Sequence, residues 1–100
     1  MPTTIVNPHK YKKFSYSTTP SRRRLGIQIE ASNPIDVYIV QESDLQAWRN
    51  GRDYGGISFK STKLIDAQVN LPKEFERDWY LILENSHEKA AGVHYELFDL

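Results

Sequence analysis

Three histidines, thirteen carboxylates and no cysteine bound the chemistry open to this chain of 100 residues. His9, His87 and His94 lie far apart and form neither a His-x-His nor a His-x-x-x-His pair, the spacings that open a metal site. Surface histidine is the ordinary reading of each, because a metal needs several convergent donors. Without cysteine there is no thiolate nucleophile, no sulfur-built zinc site and no disulfide framework. The serines fall in turns or beside strands, and no Gly-x-Ser-x-Gly elbow occurs. Asp36 and Asp66 could join His94 in a catalytic set only if the fold brought all three into one cleft. Both carboxylates sit on the polar faces of strand-like segments, and no complete set of nucleophile, base and orienter can be named. Gly55-Gly56 lacks the phosphate-cradling Gly-x-x-x-x-Gly-Lys-Ser/Thr pattern and reads as a turn entering a strand. The chain is therefore expected to be no enzyme and to require no cofactor or metal.

Binding chemistry is better represented. Lys10, Lys12 and Lys13 interleave with Tyr11, Phe14 and Tyr16, and Arg22-Arg23-Arg24 follow a short turn. Basic side chains beside aromatic rings suit phosphate contacts with base stacking, or an anionic membrane surface. If the two segments paired as a hairpin, their charges would gather in one region. The plainer explanation is that lysines guard an edge strand against pairing with other chains. Net charge is zero, yet the charges are segregated: residues 1–24 carry six basic and no acidic side chains, while the remainder carries seven basic and thirteen acidic ones. Trp48 and Tyr54 flank a helix exit and a Gly-rich loop, where they could line a shallow ligand or partner site or pack the helix onto a sheet.

The elements that must position these residues are mostly strands. Leu25, Ile27, Ile29 and Ala31 alternate with Arg24, Gly26, Gln28 and Glu30, the period of two that one buried and one solvated face require. Ile35–Gln41 alternates likewise, and the intervening Ser32-Asn33-Pro34 predicts a hairpin. Residues 10–18 read as an edge-like strand, 57–62 and 64–71 as two further strands, and 93–98 as the last. Residues 78–84 are apolar on both faces, which predicts a central strand covered on two sides. Thr19-Pro20-Ser21 and residues 72–77 are expected turns. The only helical signal is 43–50, where Ser43 and Gln46 form a capping box, Leu45 and Trp48 share a face, and Gly51 ends the helix. At two turns this helix must lean on the sheet.

About seven short strands with turns every 8–12 residues predict an all-β fold, an antiparallel β-sandwich with one short inserted helix (residues 43–50). One domain over residues 10–100 is expected, behind a flexible or extended lead-in over 1–9. No apolar run approaches the roughly 20 residues that span a bilayer, and Met1–His9 shows no charged-then-apolar secretory pattern. With no cysteine to favour an oxidising compartment, the expected location is the cytoplasm.

Three segments resemble GOLD-type (Golgi dynamics) β-sandwich domains over roughly three quarters of the chain. They are the strand pair Leu25–Ala31 with Asn33–Val40, the Asp44-Leu45-Gln46-Ala47-Trp48-Arg49-Asn50-Gly51 helix leading into Tyr54-Gly55-Gly56, and Leu71-Pro72 running on to Trp79–Asn85. The chain shows neither the cysteines nor the anchor of the secretory-pathway members, and is more similar to their soluble bacterial relatives of unknown function. The resemblance implies an interaction or adaptor module. Two function classes follow. The first is a non-enzymatic protein-interaction module that binds a protein partner or a second copy of itself. The alternative binds anionic ligands, nucleic acid or phospholipid headgroups, through the basic N-terminal segment. The candidate contact residues are Lys10, Lys12, Lys13, Arg22, Arg23, Arg24, Trp48 and Tyr54.

Overall fold

From Leu25 to Ile39 the odd-numbered side chains are apolar except at Asn33, and the backbone follows this alternation as one strand. In the computed structural model, which describes residues 2–17, 24–71, 75 and 77–99, this strand is the spine of the sheet. In chain order the elements are β1 (Thr3–Val6), β2 (Lys10–Ser17), β3 (Arg24–Gln41), a 3-10 turn (Glu42–Asp44), α1 (Leu45–Arg49), β4 (Gly56–Asn70), β5 (Asp78–Asn85) and β6 (Ala91–Asp99). All strand pairings are antiparallel, in the order β1-β6-β3-β5-β2, with β4 along the other flank of β3.

The first half of β3 lies between β4 and β6, and its second half between β4 and β5. The handover happens at Ser32-Asn33-Pro34, which have no partner in either ladder. The hairpin expected here is thus a bend within one strand. Its polar side chains do not close a turn but tie down the end of the β5–β6 connection and the start of β6. Ser32 Oγ accepts from Gly92 N at 2.9 Å, and Asn33 Nδ2 donates to the Ala90 carbonyl at 2.9 Å. Pro34 is tolerated because no ladder bond asks for its missing N–H. β4 bends at the same level. Ser61 takes a positive φ of 49°, and its N–H is captured by Asp36 Oδ1 at 2.8 Å, so Lys60 and Ser61 together oppose Asp36 as a bulge. The break expected near residue 63 is absent, and the strands expected at 57–62 and 64–71 merge into β4, which ends at Asn70.

The outcome is a six-stranded antiparallel sheet curled into a half-barrel, in place of a seven-strand sandwich. Its concave side holds the main core: Val6, Leu25, Ile27, Ile29, Ile35, Val37, Ile39, Trp79, Leu81, Leu83 and Val93 are all buried. Phe14 of β2 stacks on Tyr95 of β6 at 4.7 Å, joining, through that core, strands that the sheet order separates. The expected lead-in contains β1, held because Val6 is fully buried and Thr3–Val6 pair with β6. β5 is covered on both faces as its pattern required, with Leu81 and Leu83 on the concave side and Ile82 on the convex one. The expected turns at Thr19–Ser21 and most of residues 72–77 lie outside the described residues, as do Arg22 and Arg23. Among the described residues no helix is long and apolar enough to cross a membrane.

Candidate functional site

On the convex side, three side chains of the spine and its neighbour need cover: Tyr38, Val40 and Ile82 are all buried there. The cover is α1, laid on them through Leu45 and Trp48, with Tyr11, Tyr54 and Tyr80 around the margin. The α-helix itself starts one residue later than expected. Its N-cap is Asp44, which makes no side-chain cap bond. The Asp44 carboxylate is engaged elsewhere, with Oδ2 accepting from Gln41 Nε2 at 2.7 Å and from Gly55 N at 3.3 Å, which ties the far end of the helix–β4 loop to the helix start. The exit is as expected. Gly51 sits at φ 68°, and Gly51 N to the Trp48 carbonyl with Arg52 N to the Ala47 carbonyl complete a Schellman motif. Gly56 then enters β4 against the Ile39 carbonyl, too close for any side chain.

An open groove of about 540 Å³ remains beside the helix, lined by aromatic rings and charged side chains. The sheet register builds its floor. Tyr38 on β3 pairs with Ser58 on β4 and Ile82 on β5, so Lys60 and Glu84 are its diagonal neighbours on the two flanking strands. Tyr11 on β2 pairs with Glu84 and extends the same row. Trp48 stands edge-on to both Tyr11 and Tyr38, at 5.0 and 5.3 Å between ring centres, and Tyr54 edge-on to Tyr38 at 6.1 Å. Arg49, Arg52 and Asp53 complete the rim.

Polar contacts hold these rings in place. Lys60 Nζ donates to Tyr38 Oη at 2.6 Å and lies 4.8 Å from the Tyr38 ring centre. Tyr38 Oη donates onward to Glu84 Oε1 at 3.4 Å, and Arg49 Nε donates to Tyr11 Oη at 2.9 Å. Burial raises the Tyr38 phenol pKa above its ordinary value, against the opposing pull of the Lys60 hydrogen bond. That same bond raises the Lys60 pKa. At neutral pH the pair is a neutral phenol beside a charged ammonium. A nucleophilic lysine requires the opposite shift.

Of the residues singled out from sequence, Trp48 and Tyr54 are brought together here. Among the described residues, Lys10, Lys12 and Lys13 are not gathered with Arg24. β2 pairs with β5 and not with β3, so the hairpin that would join Lys10–Lys13 to Arg24 does not form. Lys10, Lys12 and Lys13 lie exposed on the edge strand β2, where Lys12 Nζ donates to Thr4 Oγ1 at 2.9 Å and Lys13 Nζ lies 5.1 Å from the Tyr80 ring centre. Arg24 opens β3 and donates from Nη2 to Gln68 Oε1 at 2.6 Å. Sequence reasoning missed Tyr38, Arg49, Arg52, Lys60 and Glu84 as groove residues. Tyr38 and Val40 carried a signal, since apolar residues on the nominally solvated face of 35–41 demand a cover.

The residues considered for catalysis stay apart. Asp36 is committed to Ser61 N, Asp66 lies on β4, and His94 lies on β6 with its Nδ1 2.9 Å from Thr3 Oγ1. β3 runs between the last two, and none of the three lines the groove. His9 Nε2 meets Glu88 Oε1 at 3.2 Å, and His87 is exposed. Among the described residues no group of three or more His, Asp or Glu side chains is placed to hold a metal ion. No protein-family model matches this chain, and no curated protein matches it.

Proposed function

We propose that this protein is a non-enzymatic interaction module that receives a protein partner in the groove of Tyr11, Tyr38, Trp48 and Tyr54. One observation carries the reading. Four aromatic rings surround an open cavity on the convex face, with Arg49, Arg52, Lys60, Asp53 and Glu84 among its lining residues. Trp, Tyr and Arg are the residue types that dominate binding energy at protein interfaces, because they combine large contact area with a polar handle. The segments that carry the GOLD-like resemblance also supply the groove: Tyr38 from the first, Trp48 and Tyr54 from the second and Glu84 from the third. The resemblance to such domains implies an interaction module, which supports the same reading.

A peptide-display selection on the whole chain tests it. Enriched peptides should bind the wild-type protein, lose binding to the Tyr54→Ala and Arg52→Ala variants, and shift the NMR signals of Tyr38 and Lys60. Peptides that bind both variants undiminished would overturn the groove as the contact surface. The alternative is an anionic ligand held by the basic N-terminal segment, and the excess of Arg49, Arg52 and Lys60 over Asp53 and Glu84 in the groove favours the same chemistry. Salt-sensitive binding of a single-stranded oligonucleotide or of anionic vesicles, lost in Arg52→Ala, would favour it over a peptide.

A further inference from the structure

Every sheet edge offers unpaired N–H and C=O groups to another chain, and folded proteins blunt such edges with short strands, lysines or bulges. Most edges here are blunted. β1 has only four residues. β2 carries Lys10, Lys12 and Lys13. The first part of β4 has Lys60, Lys63 and the Ser61 bulge. The rest of β4 has none of these devices. From Leu64 to Asn70 it pairs with β3 through seven consecutive residues without irregularity, carries Asp66 as its one charge, and leaves Leu64 70% exposed. Among the described residues it pairs with β3 alone, and none of them covers its outer edge.

We propose that Leu64–Asn70 pairs antiparallel with the same segment of a second copy of this chain, about a two-fold axis at Ala67. An antiparallel ladder demands that paired residues share the same hydrogen-bonding orientation, so a two-fold axis must pass through a residue opposing itself. Centring on Asp66 sets two carboxylates face to face, which is destabilising. Centring on Ile65 sets Leu64 against Asp66 of the second copy. Centring on Ala67 removes both conflicts. Asp66 then faces the Gln68 amide, Leu64 faces Asn70, and Ile65 faces Val69, with Ala67 against itself. Ile65, Ala67 and Val69 belong to the concave core or pack against it, and Ala67 and Val69 are only partly buried. The second strand therefore continues the apolar inner face as well as the ladder. The interface is self-complementary, as a two-fold dimer requires.

Sedimentation velocity on the full chain, from micromolar to millimolar, provides the test. The wild-type protein should pass from one to twice the chain mass. Gln68→Glu places two like-charge oppositions in the interface and should weaken the dimer by about ten-fold. Asp66→Lys combined with Gln68→Glu restores opposite charges across the axis and should recover it. Both positions are exposed, and a circular-dichroism spectrum like that of the wild type confirms that the variants are folded. A wild-type monomer throughout, or a dimer indifferent to Gln68→Glu, overturns the proposal. A double variant that stays weakened overturns the register. Tyr54→Ala, in the groove, should leave the dimer intact, which keeps this surface separable from the groove.

Discussion

Replacing Trp48 by alanine should melt the helix and its loop while leaving the concave core folded. α1 has five residues, far below the length at which a helix holds alone, and nucleating one costs about 4 kcal/mol. Its order is borrowed from Leu45 and Trp48 against the convex face. Trp48 makes two edge-to-face ring contacts, each contributing about 1 kcal/mol, and covers half-buried apolar area that contributes about 1 kcal/mol more. Losing about 3 kcal/mol of local stability corresponds to roughly a 100-fold rise in opening. Native-state hydrogen exchange reads this directly. The amides of Asn50, Gly51 and Arg52, bonded to the Gln46, Trp48 and Ala47 carbonyls, should exchange about 100-fold faster in Trp48→Ala. The amides of Ile39 and Leu81, at the centre of the ladder, should change far less. Unchanged protection at 50–52 would refute the borrowed stability. Equal loss at Ile39 and Leu81 would show that the two clusters open as one unit.

Two further outcomes follow from buried polar groups. Asn85 is fully buried and satisfied, donating from Nδ2 to the Val6 and Lys89 carbonyls and accepting from His87 N; Asn85→Ala removes all three bonds and should cost about 3 kcal/mol in urea denaturation. Burial raises the pKa values of Tyr16 and Tyr38, and the Tyr38 bond raises that of Lys60, so above pH 10 the folded chain retains protons that the unfolded chain has released. Stability from these groups is full below that pH and falls above it, and Tyr38→Phe should flatten the alkaline decline in thermal melting midpoint.

Much of the fold was legible because period-two alternation is a local signal. β2, β5, β6 and the helix with its Gly51 stop appear close to where the pattern puts them. The strand count was misread at two places with one cause. The odd-numbered positions stay apolar and inward from Leu25 to Ile39, with Asn33 the exception, and from Ile57 to Leu71 apart from Ser61 and Lys63. That unbroken phase argued for two long strands, but Ser-Asn-Pro is also turn chemistry, and only the β5–β6 loop that Ser32 and Asn33 bind decides between them. β1 hid because four residues are too few to show a period. The site was less legible. Trp48 and Tyr54 were visible beside the helix, whereas Lys60, Glu84 and Tyr11 reach Tyr38 through strand pairings that no local spacing encodes.

The same register explains why a groove exists at all. Three apolar side chains, Tyr38, Val40 and Ile82, face outward from adjoining strands, and a bare sheet carrying them would adhere to other chains. A helix of five residues is only about 7.5 Å long. It lays Leu45 and Trp48 against Tyr38, Val40 and Ile82 and is then stopped by Gly51, whose left-handed φ of 68° favours glycine. The Tyr38 end is instead fenced by Tyr11, Tyr54 and the Lys60–Tyr38–Glu84 row. Charge and aromatic edges thereby replace the next helical turn. Such a fence keeps water-exposed apolar area small while leaving the rings reachable, as the proposed docking of a partner requires.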